Sequence, residues 1–539
     1  MPAALLALGI AACASSPRTE VLDVDVCVYG ATAAGIVAAL QCQQLHRSVV
    51  LIDCDAWLGG MTTAGLGATD VGADAAIGGL AREFYRALRV HYDDDANWTS
   101  EPRAKFRGRG HERGSDVAFT FEPKVASAQF ERMLGEANVR PIVDCIDRTP
   151  ASAIKDGARL RSIRTEAGRT IRARVFLDCS YEGDLLATAG CSYVVGRDAN
   201  QTYGETLNGV AVHQATKHQF AVRVDPYVRP GDASSGLLNG IDGAAPEPDG
   251  TGDRRVQAYC YRLCASDDPA NRADWPKPAN YDERDHELLL RWFDAGNTMA
   301  PWHPVPMPNR KTDSNNNGAV STDAIGLNWG YPEASYEERA RIVAAHRDYQ
   351  QGLMWTLANH PRVPFSVRAE FQRYGLAKDE FVATQNWPPL LYVREARRLL
   401  GELVVEEDHC TGLLVEPDPV GLGAYAMDSH NVRRHVIDGV VRNEGDVQVR
   451  VPKPYGISYR ALLPRRAECD NLLAPVCVSA SHIAFGSIRM EPVFMVLAQS
   501  AMLAAEIAIA RDLAVQDVPY SELRERLLAS AQVLQAVAR

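Results

Sequence analysis

Near the start of the chain the apolar positions come in unbroken blocks rather than in alternation. Val24 to Tyr29 is β-branched and apolar apart from Asp25, the pattern of a strand buried on both faces of a parallel sheet. A glycine turn follows, and residues 33 to 45 are rich in Ala and Leu without proline, which predicts a helix. "SVVLID" then predicts a second buried strand ending at Asp53. Related signatures return twice. "RTIRARVFLDCSYEGDLLATAG", 169 to 190, predicts a strand ending at Asp178 and a helix opened by Glu182, Gly183 and Asp184, where acids suit the positive end of the helix dipole. Between 471 and 508, a strand from Leu472 to Val478 leads through a Ser-rich loop to a helix with Pro492 at its start, a position that needs no N–H. The apolar run 493 to 510 is interrupted by Gln499, Ser500 and Glu506, so it predicts a buried helix and not a membrane span.

The first turn reads Gly30-Ala31-Thr32-Ala33-Ala34-Gly35, a G-x-G-x-x-G fingerprint with threonine in the middle. In such a turn the first glycine permits the tight bend, the second lets backbone approach a pyrophosphate, and the third lets helix and strand pack closely. Gly30 and Gly35 keep the outer roles. Thr32 adds a side chain at the approach point, and its hydroxyl can itself bond a phosphate at the helix N-terminus. Asp53 lies 18 residues beyond Gly35, close to the ~20 expected of the acid that binds ribose hydroxyls. With both strands in register, Gly30, Thr32, Ala33, Ala34, Gly35 and Asp53 are expected to bind a dinucleotide.

The stretches "GATAAGIVAAL", "LIDCDAWLGGMTTAG" and "GGLAREFY" resemble the FAD-dependent oxidoreductase family, built on the glutathione-reductase-type flavin fold, and the likeness extends over nearly all of 21 to 530. The resemblance implies FAD as the dinucleotide, with Gly59, Gly60 and Met61 along its diphosphate and ribityl chain. It implies that the strand ending at Asp178 lies beside the nucleotide-binding strands. It also implies that the helix opened by Glu491 and Pro492 points at the pyrimidine end of the flavin, where a helix N-terminus stabilises the reduced anion. Related heterodisulfide-reductase flavin subunits carry iron–sulfur clusters; their cysteine motifs are absent here, and no metal is expected.

The expected architecture is α/β: a Rossmann-like FAD-binding domain with a parallel sheet, drawn from 21–200 and 456–539, and a large α+β cap over 201–455 that shapes the substrate pocket. Residues 1–20 read as a leader. Ile10-Ala11-Ala12-Cys13 resembles the lipoprotein box whose cysteine is lipidated, although no Lys or Arg precedes the apolar run. This predicts an exported periplasmic or cell-envelope lipoprotein that touches a membrane only through Cys13. A net charge of -11 argues against a nucleic-acid partner. The basic stretch "EPRAKFRGRGHERG", 101 to 114, reads either as a solvated loop or as a landing patch for an anionic substrate. The 12 cysteines are dispersed without a C-x-x-C, and several, such as Cys27, Cys54 and Cys179, sit in apolar runs as small hydrophobes, which argues against a disulfide framework.

Flavin supplies redox chemistry, so the protein must position a donor carbon and handle a proton. His482 in "SASHIAFG" is the leading acid or base, because imidazole titrates near neutral pH. Arg489 either binds a carboxylate, stabilises reduced flavin, or pairs with Glu491. In the cap, "MDSHNVRRHV" offers His430 and "YGISYR" offers Tyr459 as further catalytic candidates. Asn315, Asn316 and Asn317 in "SNNNG" read as substrate-binding amides or as a turn. The expected function is transfer of a hydride from a small or oligomeric organic substrate, carbohydrate in type, to FAD, with an unidentified electron acceptor. Two alternatives stand beside it. One is a non-redox flavin-fold protein that grips a polysaccharide; the other is a flavin-dependent hydroxylase reduced by its substrate or a partner, since no second complete fingerprint for NAD(P)H occurs.

Overall fold

The computed structural model describes residues 20–536; Cys13 and the rest of the expected leader before Glu20 lie outside the described residues. Strand β1 (Val21–Tyr29), helix α1 (Ala33–Gln44) and strand β2 (Val49–Asp53) form where the apolar blocks place them. After α2 (Gly79–Asp93) and α3 (Pro123–Glu136) come β3 (Ile142–Val143), β4 (Ala153–Asp156), β5 (Arg159–Arg164) and β6 (Thr170–Asp178). The sheet runs β3-β2-β1-β6-β5-β4, with Leu472–Leu473 paired alongside β6. The first four strands in that order and Leu472–Leu473 are mutually parallel, whereas β5 and β4 are antiparallel. Tyr29 is in register with Ile52 and with Asp178, so the C-terminal ends of β1, β2 and β6 share one edge. The crevice beyond such ends, where strand order reverses, is where open α/β sheets bind ligands.

The all-round apolar character of α1 has a simple cause. It packs against helix Glu491–Arg511, which is itself buried along nearly its whole length. The polar residues that interrupt that second helix are all matched: Gln499 donates to Gln41 at 2.8 Å, Ser500 to the Val420 carbonyl at 2.7 Å, and Glu506 receives Arg47 at 2.6 Å. The strand predicted from Leu472 to Val478 stops at Leu473, because Pro475 has no N–H for the ladder.

Over the middle of the chain stands an antiparallel five-stranded sheet in the order Arg272–Ala273, Gly375–Ala377, Cys264–Ser266, Lys311–Asn316 and Trp302–Met307. The 24-residue helix Tyr336–Asn359 belongs to the same region. "SNNNG" is not the hairpin turn. Asn315 and Asn316 lie in a strand opposite His303 and Trp302, and the chain reverses through the three residues Pro308, Asn309 and Arg310, the last two with φ values of 62° and 58°.

Two expectations change. Cys54 is not a free hydrophobe but is bonded to Cys145, tying the end of β2 to the segment after β3; the nine other cysteines among the described residues are free and buried. In the basic stretch, Arg103 pairs with Asp93 and Arg109 with Asp74, so acids already match two of its cations.

Candidate active site

At Gly30, φ is +98°, and a Cβ there would sit 2.5 Å from the Ser180 nitrogen. Only glycine fits between β1 and the loop that follows β6. A Cβ on Gly35 would lie 1.8 Å from the Gly30 carbonyl oxygen, so helix and strand touch there as the third glycine of the fingerprint allows. Thr32 is the N-cap of α1. Its hydroxyl accepts from the Gly35 N–H at 3.3 Å and donates to the Cys179 carbonyl at 2.8 Å, so the group expected to reach a phosphate is committed to the protein instead. The N–H groups of Ala33 and Ala34 are buried and have no acceptor among the described residues, leaving two orphan donors at the positive end of a 12-residue helix. Asp53 accepts from the N–H groups of Ala31 and Asp55. Burial raises its carboxyl to about 7 against the opposing pull of those two donors.

The glycine pair lies directly on this turn: the Gly59 N–H donates to the Ala31 carbonyl at 2.8 Å. Gly59 and Gly60 have φ of 94° and 56°, and a Cβ on Gly60 would be 2.2 Å from the Tyr181 hydroxyl. That hydroxyl receives the Met61 N–H at 2.9 Å and donates to Glu491 at 2.7 Å; the Thr62 hydroxyl donates to the other Glu491 oxygen at 2.8 Å. Glu491 and Pro492 open helix Glu491–Arg511. Glu491 is buried without a cationic partner among the described residues, and burial raises its carboxyl to about 7 despite the two hydroxyl donors. Asp178 behaves differently from expectation. Its carboxylate is consumed inside its own loop by the Ser180 N–H, the Ser180 hydroxyl and the Leu186 N–H at 3.1, 2.7 and 2.8 Å, so it shapes the turn and does not face a ligand.

Beyond the glycine pair, Met61, Ala64 and Leu66 pack on Cys260 and Tyr392. From Tyr392 a buried polar chain runs outward. Arg489 donates to the Tyr392 hydroxyl at 3.1 Å and to Asp428 at 3.0 Å. His430 sets Nε2 3.5 Å from Asp428 and Nδ1 2.7 Å from Asp323, which also receives Arg394 at 2.9 Å. Arg489 thus pairs with Asp428 and not with Glu491. Burial and Arg394 push the His430 pKa down, but Asp323 and Asp428 outweigh them and leave it above the ordinary histidine value.

His482, expected to lead the chemistry, is 2% exposed, with Nδ1 2.8 Å from Glu395 and Nε2 3.0 Å from the Ser429 hydroxyl. Both ring nitrogens are satisfied inside the protein. Burial alone would raise Glu395, yet His482 and Arg398 hold it at about 2. Tyr459 donates its hydroxyl to the Val515 carbonyl at 2.8 Å within the main core, and among the described residues no hydrogen bond joins it to His430 or Arg489.

The sequence matches the family described as FAD dependent oxidoreductase over residues 25–527. The chain belongs to that family. The protein is an FAD-dependent oxidoreductase, and FAD is its cofactor. Among solved structures, a flavin-containing monooxygenase from Stenotrophomonas maltophilia is 17% identical, over 34% of this chain and 44% of its own, with a TM-score of 0.19. The 3-ketosteroid-delta4-(5alpha)-dehydrogenase from Rhodococcus jostii RHA1 is 15% identical, over 30% and 47%, with a TM-score of 0.19. The chain spans less than half the length of either, and their substrates say nothing about its own. No curated protein matches this flavoenzyme.

The residues present fit FAD. The turn, Asp53 and Gly60 border one cavity of about 380 Å³, walled further by Trp57, Tyr181 and Tyr336. The orphan N–H groups of Ala33 and Ala34 suit a diphosphate, and Asp53 suits ribose hydroxyls. The flavoenzyme also carries a clamp that the sequence alone does not reveal. The Asp184 carboxylate receives Arg148, Arg339 and Arg397 at 3.1, 2.6 and 2.7 Å, fastening the helix after β6 to helix Tyr336–Asn359 and strand Arg397–Leu399. Burial would raise Asp184, but the three guanidinium groups hold it below its ordinary value.

Proposed function

We propose that this flavoenzyme oxidises a hydroxyl-bearing organic substrate, small or oligomeric and carbohydrate in type, with His430 taking the substrate proton. The observation that carries the proposal is the Asp323–His430 pair, set in the polar chain that begins at Tyr392 beside the glycine pair. FAD, when bound, supplies the hydride acceptor. Asp323 holds Nδ1 as a donor, which leaves Nε2 to carry the lone pair once the ring is neutral. Arg489 and the Tyr392 hydroxyl offer donors to substrate oxygens, and Asp428 offers an acceptor. The test is anaerobic mixing of the FAD-loaded protein with sugars, sugar acids and hydroxy acids, following the flavin spectrum. Bleaching by a member of this panel, slowed in His430→Ala while FAD stays bound, is the expected result. No bleaching by any of them overturns the substrate class, and undiminished bleaching in His430→Ala overturns the role of the histidine.

We also infer export with a lipid on Cys13. The Cys54–Cys145 disulfide supports this, because cystines persist in oxidising compartments. Globomycin-sensitive processing is expected; a cytoplasmic protein with Met1 intact overturns it.

A further inference from the structure

The cap contains a second cavity, about 450 Å³, which shares no lining residue with the flavin cavity. Its floor is apolar, built from Leu288, Leu289, Val320 and Ile325, yet Arg434 lies in it at only 5% exposure. Arg434 donates Nε to Asn443 at 3.0 Å and Nη2 to the Ala319 carbonyl at 3.1 Å. Nη1 lies beside Gly240 on the cavity wall, Tyr349 is the guanidinium's neutral hydrogen-bonding neighbour there, and no carboxylate oxygen lies within 4.0 Å of the guanidinium among the described residues. Burying a cation without a counter-ion is expensive, and proteins pair such charges or leave them for a ligand. Burial accordingly lowers the pKa of Arg434, although Tyr349 and Asp323 oppose it.

The rim has a different chemistry. Asn239 donates to Asp285 at 2.6 Å and Asn280 to Asp348 at 2.7 Å, so two amide–carboxylate pairs present donors and acceptors side by side at the mouth. That arrangement reads hydroxyl groups, while the rim carboxylates Asp282, Asp285 and Asp348 repel anions in proportion to their charge, so a single carboxylate held on Arg434 is tolerated better than a doubly charged group. We propose that this cavity binds a polyhydroxylated monocarboxylate, a sugar acid of the uronate type, with its carboxylate on Arg434 and its hydroxyls on the two Asn–Asp pairs. The site is distinct from the oxidation site but backs onto it. Val320 and Ala324 line the cavity, whereas Asp323 between them turns away toward His430 and Arg394.

The probe is D-glucuronate, titrated calorimetrically into the oxidised, FAD-loaded protein, with glucose and glucose 6-phosphate as controls. Glucuronate should bind about 10- to 100-fold more tightly than either, the discrimination one charge-assisted hydrogen bond provides. Arg434→Met should remove that preference. Ala345→Trp, at an exposed position on the cavity mouth, should fill the cavity and weaken glucuronate at least about tenfold with flavin content and Tm unchanged. Equal affinity for glucose and glucuronate, undiminished binding in Ala345→Trp, or no binding of glucuronate overturns the proposal. Ala345→Trp decides the matter even if Arg434→Met fails to fold. Flavin bleaching is read separately, so failure here leaves the oxidation site to its own test.

Discussion

The Nδ1 of His430 stands 2.7 Å from one oxygen of Asp323, and Arg394 holds the other oxygen at 2.9 Å. A carboxylate fixed between a guanidinium and an imidazole cannot rotate away, so it sets both the tautomer and the basicity of the ring. His430→Gln should therefore slow flavin reduction by about 10²–10⁴-fold, the usual contribution of a positioned base. The wild-type rate should rise with pH as His430 loses its proton, with a midpoint above the ordinary 6.5. Asp323→Asn removes one of the causes of the raised value, and its rate profile should move to lower pH. Stopped-flow reduction across pH checks both outcomes; a pH-independent wild-type rate would remove His430 from the chemistry.

For His482 the expected loss lies in stability rather than in the reductive step. Its side chain is wedged between Glu395 and Ser429, and His482→Ala leaves a buried carboxylate short of one partner. A cost of about 3–5 kcal/mol is typical of breaking such a pair. Thermal unfolding measures it, and an unchanged Tm with slow flavin reduction would restore the histidine to catalysis.

Asp53→Ala should weaken FAD retention by about 1.5–3 kcal/mol, the worth of a hydrogen bond to a charged acceptor. Thr32→Gly should keep FAD but lose roughly 0.5–1.5 kcal/mol of stability with the bond to the Cys179 carbonyl. Flavin occupancy after gel filtration separates the two variants, and a large loss of FAD in Thr32→Gly would show the hydroxyl to be a ligand.

Glu491 gives a pH dependence of known sign. Its folded value is raised by burial from 4.5 to about 7, so the protonated form is favoured in the folded protein. The stability it contributes is fully present below pH 4.5 and is lost as pH rises through about 7. The shift is worth on the order of 3 kcal/mol. Glu491→Gln cannot ionise, so the Tm difference between variant and wild type should move in favour of the variant between pH 5 and 8. A constant difference would contradict it.

Much of the nucleotide half can be read from the chain because its constraints are local. Gly30, Gly35 and Asp53 follow one another within a single strand–turn–helix–strand unit, and the blocks of apolar residues mark each piece. The polar chain beyond the glycine pair is harder to see. Asp323 and Arg394 come from "NNNGAVSTDAIGLNWGYPEA" and "LYVREARRLLGELVV", stretches that stand out in the sequence but whose meeting is 71 residues apart. The same holds for the Asp184 clamp, whose arginines lie at 148, 339 and 397. His482 misleads for a related reason: its neighbours in sequence suggest a site, while its partner Glu395 arrives from 87 residues away and seals it in the interior. Cys54 looks like a core thiol until the fold carries Cys145 to it.

Glu491 reaches Thr62 across 429 residues and Tyr181 across 310. No fragment that lacks Glu491 can close this contact. The nucleotide-binding unit can form first, but it does so with one wall missing. Cofactor loading therefore waits until helix Glu491–Arg511 has docked, and truncations anywhere before Glu491 should yield protein that never turns yellow.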